Sequence, residues 1–454
     1  MSLLIKNGRI ITASDDYAAD VLIEGEMVTH IGKDLKISAD ETIDASGMYV
    51  FPGGIDPHTH LQMPFMGAFS SDDYSTGTLA ALHGGTTTII DYAIQSKGGQ
   101  LHAALKEWKQ RAEGNAYGDY SFHIAVTDYN ENVRQELASI IEEEGIPSFK
   151  VFMAYKGSLM IDDKQMIGLM TELEKLKGVI AVHATNGDMI DYLVEKHKAE
   201  GKLSPLYHYL SQPEITESEA SGRFVDMVSH TGVTGYIVHL TCEGALNKVR
   251  QATFNNKRIF VETCPQYLLL DASLYEKGFE SAKWVMSPPI REKKDQETLW
   301  AGLSQGLVQV VATDHCPFMM EDKRKGEHDF TKIPNGAPGI EHRFELMFSE
   351  GVKKGRISLN RFVDVTSTQA AKIFGLFPKK GTIAVGSDAD IVLFDPDYKH
   401  TISAKTHHHH CDYSTYEGMQ VTGKARKVLL RGKVIIDEGK VMLGKGYGKF
   451  LKRN

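Results

Sequence analysis

Short apolar runs separated by turn residues fill the first part of the chain and predict β-strands. Residues 3–5 and 9–11 flank the pair Asn7-Gly8, which predicts a hairpin with a two-residue turn. Residues 21–23, 28–32 and 42–44 continue this pattern, and no helical period interrupts it. The sequence therefore predicts a small all-β unit over residues 1–52.

The end of the chain shows the same pattern of apolar and polar positions. Runs at 381–383, 390–394, 428–432 and 433–436 are joined by glycine and aspartate turns. The two ends of a domain often lie close together. We therefore expect residues 1–52 and 376–454 to form one small β-sandwich beside a central domain.

The central residues, 53–375, alternate apolar runs of strand length with amphipathic stretches. Eight such runs lie at 54–60, 86–93, 120–127, 148–155, 179–184, 235–240, 258–264 and 307–315. Apolar residues recur at three- and four-residue steps at 101–112, 133–144, 164–176 and 246–254. Alternating strands and helices build parallel sheets, and a (β/α)₈ barrel needs ~250 residues. The predicted fold class is α/β, a (β/α)₈ TIM-like barrel, with an open doubly wound sheet as the alternative.

Composition narrows the class of protein. The chain has 454 residues, of which 42% are hydrophobic and 24% charged, and its formal net charge is −8. Such an acidic balance disfavours nucleic-acid and membrane-surface partners. No run reaches the ~18 apolar residues of a membrane-spanning helix, and the first residues do not resemble a signal peptide. The four cysteines lack CxxC spacing, so we expect reduced thiols in a cytoplasmic protein.

Ionisable residues close or occupy five of the predicted barrel strands, where reactive groups of such barrels gather. The first strand ends in a His-x-His pair, whose two side chains point the same way because strand side chains alternate. Each histidine alone is more simply a hydrogen-bonded core residue, but the whole set would converge on one mouth of the barrel. The set comprises His58, His60, Lys150, His183, His239 and Asp314.

Imidazole and carboxylate groups suit Zn²⁺ or a similar divalent ion. Four histidines and one aspartate exceed the three protein ligands of one catalytic zinc, which favours two metal ions ~3.5–4 Å apart. Two cations at that distance need an anionic bridge. A neutral Lys150 amine could take up CO₂ and become a carbamate, but an ordinary lysine paired with a carboxylate is the simpler alternative, and the residues alone do not favour the carbamate.

Six segments spread over nearly the whole chain carry a family resemblance. They lie at 53–60, 148–155, 286–291, 313–318, 333–336 and 386–390. Together with the order of the ionisable residues, they resemble the hydantoinase/dihydropyrimidinase family of the amidohydrolase superfamily. The resemblance implies a barrel joined to a β-sandwich from both chain ends, and a homotetramer. It also implies two divalent ions, Zn²⁺ first and Mn²⁺ or Co²⁺ as alternatives, bridged by Lys150 as N6-carboxylysine formed with CO₂.

The resemblance also implies a role for each metal ligand. His58 and His60 would bind the more buried ion, which Asp314 completes. His183 and His239 would bind the more exposed ion.

Further residues match positions that contact the substrate in that family. Tyr155 would donate its hydroxyl toward the developing oxyanion, unless it is a rim aromatic. Ser287 and Asn335 would hold the amide edge, although both also fit ordinary turns. An apolar pocket over the ring substituent, or alternatively packing at the barrel rim, would be formed by Met63, Phe65, Phe152 and Leu159.

The activity implied by the resemblance is metal-dependent hydrolysis of a cyclic amide. The small-molecule substrates would be 5-substituted hydantoins, dihydropyrimidines such as dihydrouracil, or both, opened to N-carbamoyl amino acids. A hydroxide bridging the two ions would attack, with Asp314 as general base and then acid. Residues 61–64 lack the arginine of dihydroorotases, which argues against dihydroorotate. An allantoinase-like hydrolase and a non-catalytic assembly relative are the alternatives.

Four adjacent histidines, residues 407–410, precede Cys411. Four consecutive side chains cannot all face one ion in regular structure. We therefore expect this tract to be a solvated loop or a subunit contact.

Overall fold

The computed structural model of the protein describes residues 2–254 and 258–453. Residues 1 and 454, the outer ends of the two predicted terminal segments, lie outside the described residues. The N-terminal segment holds five strands, β1 (Ser2–Ile11), β2 (Asp16–Glu24), β3 (Met27–Gly32), β4 (Glu41–Asp44) and β5 (Tyr49–Pro52).

The predicted hairpin at Asn7-Gly8 is wrong. β1 continues through this pair and is antiparallel to β2 on both sides of it, with a register shift between Ile5 and Gly8. Asn7 takes a φ of 61°, and a Cβ atom on Gly8 would lie 2.4 Å from Val50 Cγ2. Asn-Gly suits a bulge as well as a turn, and here Leu3, Ile5 and Ile10, from both sides of it, belong to one core.

The central segment contains the predicted parallel strands. Each of the eight apolar runs contains one of them, and a separate short hairpin, β7–β8, follows the first. The strands are β6 (Gly54–Thr59), β7 (Pro64–Phe65), β8 (Ala68–Phe69), β9 (Thr86–Ile94), β10 (Asp119–Ala125), β11 (Ser148–Phe152), β12 (Val179–His183), β13 (Thr234–Ile237), β14 (Ile259–Thr263) and β15 (Val310–Val311).

Helices connect these strands, and the four predicted amphipathic stretches coincide with α2, α3, α4 and α8. The α-helices are α1 (Tyr74–His83), α2 (Leu101–Ala112), α3 (Glu131–Glu142), α4 (Asp163–Lys175), α5 (Gly187–Ala199), α6 (Leu206–Leu210), α7 (Glu214–Thr231), α8 (Glu243–Phe254), α9 (Pro265–Leu269), α10 (Lys293–Ser304), α11 (Met320–Arg324), α12 (Arg343–Leu346), α13 (Leu359–Val363) and α14 (Gln369–Ile373). Shorter 3₁₀-helices span Ala272–Glu276, Gly278–Trp284 and Phe330–Lys332, and π-helices span Met347–Val352 and Asp364–Thr368.

Local sequence explains how these helices form. α4 begins at a capping box in which Asp162 accepts from the Gln165 N–H, and the Gln165 side chain accepts from the Asp162 N–H. Its buried residues, Met166, Leu169, Met170 and Leu173, follow the helical period and face the strands. Within the described part of the chain, no helix combines the length and the apolarity needed to cross a membrane.

Two contacts close the eight parallel strands into a barrel between β6 and β15. A parallel bridge joins Thr59 to His315, beyond the end of β15. The buried Arg343 guanidinium donates to the Ile55 carbonyl of β6 at 2.8 Å and to the Val311 carbonyl of β15 at 2.9 Å. The (β/α)₈ prediction is therefore confirmed, and the open doubly wound alternative is excluded.

The chain ends meet in a separate sheet, as predicted. The C-terminal strands are β16 (Ile391–Thr401), β17 (Gln420–Leu430), β18 (Lys433–Asp437) and β19 (Lys440–Val441). β5 lies between β1 and β16, which joins all nine terminal strands in one sheet with its own core. The strand predicted at 381–383 is absent from the structure. We propose to divide the chain at 52/53 and 375/376, between these units.

Candidate metal centre

One cavity at the carboxyl ends of the barrel strands contains every residue that the sequence indicated as a metal ligand or a substrate contact. Its wall also includes Ile94, Cys316 and Gly336, which the sequence did not point out. The thirteen predicted residues in the wall are His58, His60, Met63, Phe65, Lys150, Phe152, Tyr155, Leu159, His183, His239, Ser287, Asp314 and Asn335.

A first group of ligand atoms surrounds Asp314. Its Oδ1 lies 3.1 Å from His58 Nε2 and 3.1 Å from His60 Nε2. The alternation of side chains along β6 places both imidazoles on this side, as predicted. Among the described residues, no hydrogen bond to Asp314 Oδ2 is found, and Asp314 belongs to the cavity wall. This geometry can hold one metal ion.

A second group consists of His183, the last residue of β12, and His239, which lies just after β13. The Nδ1 atom of His183 lies 2.8 Å from the Nε2 atom of His239. Burial lowers the pKa of both imidazoles well below its ordinary value, and it does the same for His58. These side chains are therefore neutral at pH 7, which is the state that binds a metal ion.

Three residues of the cavity have a left-handed backbone that side chains rarely adopt. The φ angles are 65° at Tyr155, 39° at His239 and 51° at Asp314. Such conformations cost ~1–3 kcal/mol each and cluster at functional sites, where surrounding structure enforces them. Each of them follows a barrel strand and turns a side chain into the cavity.

Lys150, in β11, lies at the bottom of this cavity without an acidic partner. Its Nζ atom is 4.9 Å from the ring centre of Tyr92 and 5.1 Å from that of Phe152. Among the described residues, no carboxylate lies within ion-pair distance of this atom. Burial lowers the pKa of Lys150 to about 8, although Asp314 and Glu262 act in the opposite direction. The ordinary ion-paired lysine considered from the sequence is therefore not what the structure contains.

Glu262, in β14, is a buried residue of the site that sequence reasoning missed. Its Oε1 lies 2.6 Å from His58 Nδ1 and accepts from the His239 N–H at 3.0 Å, while Oε2 accepts from the Tyr236 hydroxyl. By accepting a hydrogen bond from the Nδ1–H group of His58, it leaves the Nε2 lone pair of His58 directed into the cavity. The sequence feature that could have pointed to Glu262 is that it is the single carboxylate inside the apolar run 258–264.

The predicted apolar residues form one wall of the cavity. The rings of Phe65 and Phe152 contact that of Tyr155 edge-on, with centroids 5.6 and 6.1 Å away. Met63 packs with Ala68 and Phe318 in a small separate cluster. Phe152 also lies beside the candidate metal ligands, with its ring centroid 5.7 Å from that of His183.

Lys323 ties together the two loops that carry Ser287 and Asn335. Its fully buried Nζ donates to the carbonyls of Val285, Pro334 and Gly336 at 3.1, 3.0 and 2.9 Å. These carbonyls flank the two predicted substrate contacts. Lys323 therefore fixes the distance between the loops, and nothing in the local sequence of α11 indicates this.

Replacing Lys323 by methionine should destabilise the protein by about 3 kcal/mol or more, because three buried carbonyls would each lose a donor worth ~1–3 kcal/mol. Thermal and urea unfolding would measure the loss. Lys325→Met is the matched control, since Lys325 is exposed and pairs only with Asp322. Equal stability of the two variants would contradict the proposal that Lys323 holds the two loops together.

The histidine tract, residues 407–410, is not the solvated loop that the sequence suggested. His409 is only 6% exposed, and the exposed His408 and His410 both bond to the same chain. The N–H of His408 donates to Glu341 Oε2, and the N–H of His410 donates to Asp72 Oδ1. Nearby carboxylates offer the tract specific partners, so the expectation of a solvated loop is wrong for His409, whereas the alternative of a subunit contact stays a prediction.

Comparison with known proteins gives matches over the whole chain. The model of the amidohydrolase family matches residues 49–435. A D-hydantoinase from Geobacillus stearothermophilus is 50% identical over 455 residues, covering 100% of this chain and 97% of that protein. A dihydropyrimidinase from Rattus norvegicus is 41% identical, covering 99% and 88%. The crystal structure of a dihydropyrimidinase from Brevibacillus agri NCHU1002 superposes with a TM-score of 0.99 at 50% identity, covering 100% and 99%.

Proposed function

The chain belongs to the hydantoinase/dihydropyrimidinase group of the amidohydrolase family and is a cyclic amidohydrolase, and we propose that two metal ions at the barrel mouth support its hydrolysis of 5-substituted hydantoins and dihydropyrimidines. One observation gives the main support for a metal-dependent reaction. Four imidazoles, one carboxylate and a buried lysine without an acidic partner meet in one cavity.

The donor set fits two ions. His58, His60 and Asp314 form one group, and the facing nitrogens of His183 and His239 form the other. Lys150 would connect them as a carbamate: its neutral amine adds to CO₂, forming an N–C bond and releasing one proton. When bound, two divalent ions lower the pKa of water toward ~7 and polarise a carbonyl.

Asp314 is the proposed general base and acid. Although burial alone would raise the pKa of this carboxyl, the neighbouring His58, His60 and Lys150 lower it overall. Asp314 is therefore ionised at neutral pH and able to take a proton from the attacking water. Its free Oδ2 would then return that proton to the leaving ring nitrogen, which completes the cleavage of the C–N bond.

The cavity wall supports a substrate with an uncharged ring substituent. Met63, Phe65, Phe152 and Leu159 are apolar, and no arginine lies among the described residues of the wall. A substituent with a carboxylate, as in dihydroorotate, would lack a cation there. Because the relative from Geobacillus stearothermophilus is named a D-hydantoinase, we propose a preference for the D-enantiomer of 5-substituted hydantoins.

Ring opening of four compounds tests this proposal. Zinc-loaded protein prepared with bicarbonate would be incubated with dihydrouracil, a racemic 5-aryl hydantoin, allantoin and dihydroorotate, and the products separated by chiral chromatography. We expect opening of the first two, with the D-hydantoin preferred. Turnover of allantoin or dihydroorotate alone would overturn the pocket assignment. A lack of turnover on all four, with metal bound, would overturn the substrate class.

Replacing Tyr155 by phenylalanine should lower kcat by about 10²–10³-fold and raise KM much less, because an oxyanion donor is worth ~3–4 kcal/mol. Burial raises the pKa of Tyr155 to about 12, against the effect of Ser287 and Asn335, so its hydroxyl keeps the proton it donates. Steady-state kinetics would separate kcat from KM. Tyr129→Phe, which loses a hydroxyl outside the cavity, is the control. A change confined to KM would make Tyr155 a binding residue only.

A further inference from the structure

Two rings of the histidine tract meet a third histidine from another element. His407 and His409 lie two residues apart, so their side chains leave the tract on the same side, and their Nδ1 atoms are 3.2 Å apart. His342, which directly precedes α12, completes the group. One ring nitrogen of each histidine lies within 4.8 Å of the others.

In two of the three rings, the nitrogen that points away from the group, here called the outer nitrogen, is hydrogen-bonded. The inner nitrogen, which faces the other rings, is then available to an ion. His342 Nδ1 lies 2.7 Å from Glu345 Oε1, to which it donates. Its Nε2 is buried and has no partner, in a residue that is 5% exposed. His407 Nε2 donates to the Cys411 carbonyl at 2.9 Å. Outer contacts of this kind fix the tautomer of metal-binding histidines.

His409 makes two contacts that an ion would have to change. Its Nε2 accepts from the Glu341 N–H at 3.1 Å, so its Nδ1 carries the proton and donates to His407. Metal binding would move this proton to Nε2 and break both the bond from Glu341 and the bond to His407. Two hydrogen bonds are a small loss beside three metal–nitrogen bonds.

Three other histidines nearby are already engaged, and His83, which stacks on His408 and has an unpartnered Nε2, does not belong to the group. His315 donates from Nε2 to Asp72 and accepts at Nδ1 from the N–H groups of Gly339 and Ile340. His408 pairs with Glu341, and His410 bonds to the carbonyl of Ser71. His342 Nε2, which has no partner, and the Nδ1 atoms of His407 and His409, which bond only to each other among the described residues, are thus the nitrogens through which these rings could reach one ion.

We propose that His342, His407 and His409 bind one divalent transition-metal ion, at a third site that shares no ligand with the barrel-mouth centre. Three imidazoles select Zn²⁺, Co²⁺, Ni²⁺ or Cu²⁺ and disfavour Mg²⁺ and Ca²⁺, which prefer oxygen ligands. Three protein ligands leave a fourth position for water. The inference does not rest on the reaction proposed above.

Metal content of the full chain tests the site. Wild-type protein and the variants His407→Gln and His342→Gln would be loaded with zinc in the presence of bicarbonate, dialysed at the same free zinc concentration and analysed by mass spectrometry of the elements. We expect wild type to hold one zinc ion per chain more than either variant. His408→Gln and His410→Gln, in the same tract, should retain the wild-type content. Equal zinc in wild type and His407→Gln would overturn the proposal.

A second measurement uses wild-type protein, so it tests the site even if the variants fail to fold. Cu²⁺ added to wild type that holds only two zinc ions per chain, those of the barrel-mouth centre, should give an electron paramagnetic resonance spectrum with coupling to nitrogen from the third site, which the zinc-filled centre would not produce. The same signal in the His408→Gln and His410→Gln double variant would exclude the exposed rings as its source. A wild-type spectrum of aqueous Cu²⁺ alone would overturn the site without recourse to any variant.

Discussion

Asp314→Asn lowers kcat by about 10³-fold or more on dihydrouracil or a 5-substituted hydantoin, since positioned acid–base groups contribute ~10²–10⁴-fold. The amide has the size of the carboxylate, so the fold should persist. Its oxygen can still approach His58 and His60, as Oδ1 does at 3.1 Å in the native chain. An amide cannot take up the proton that the free Oδ2 is proposed to carry.

Metal analysis must accompany the kinetics, because Asp314 is also a proposed ligand. A variant that keeps its ions and loses turnover supports the acid–base role. Asp188→Asn is a suitable control, because Asp188 is an exposed residue that pairs with Lys156 outside the cavity. A metal-loaded Asp314→Asn variant with near-normal kcat would exclude Asp314 as the group that transfers the proton.

The convergence of the proposed metal ligands in one cavity could be predicted because each belongs to a local pattern. An apolar run followed by histidine or aspartate marks the end of a buried strand, and a parallel barrel brings all such ends together. His183 and His239 are examples, since each is an ordinary core histidine when considered alone. The (β/α)₈ topology therefore supplied information that no single motif contains.

Residues that act through partners distant in sequence could not be predicted in this way. Glu262 lies inside its strand run, and its function depends on His58, 204 positions away. Arg343 and Lys323 are buried basic residues whose hydrogen-bond acceptors are mainly backbone carbonyls. Every residue has a carbonyl, so the sequence does not show which of them will accept from these side chains. Their identification requires the tertiary structure.

Two local patterns had more than one structural solution. Asn7-Gly8 is compatible with a hairpin turn and with a bulge, and the choice was made by the close approach of Val50 to Gly8. The tract at 407–410 resembled a polar loop, but Glu341 and Asp72 bind it to the barrel. In both cases, long-range packing overruled the local signal.

Lys150→Ala should lose most of the metal bound at the barrel mouth. Two dications ~3.5–4 Å apart repel each other by on the order of 20 kcal/mol at an effective dielectric constant of ~20, and an anionic bridge between them offsets much of this energy. Lys150 is placed to supply the bridge because it is buried, has a pKa of about 8 and lacks a described acidic partner. Alanine cannot form a carbamate.

Elemental analysis of Lys150→Ala beside Lys156→Ala measures this effect, since Lys156 is exposed and outside the cavity wall. Lys150→Arg distinguishes the effect of the positive charge from the effect of carbamate formation, because arginine keeps the charge but does not form the carbamate. Wild type prepared with ¹³C-bicarbonate should show a carbamate carbon signal that both Lys150 variants lack. Full metal content in Lys150→Ala would contradict the bridging role. If Lys150→Ala loses metal but wild type shows no carbamate signal, Lys150 would instead be a ligand in its amine form.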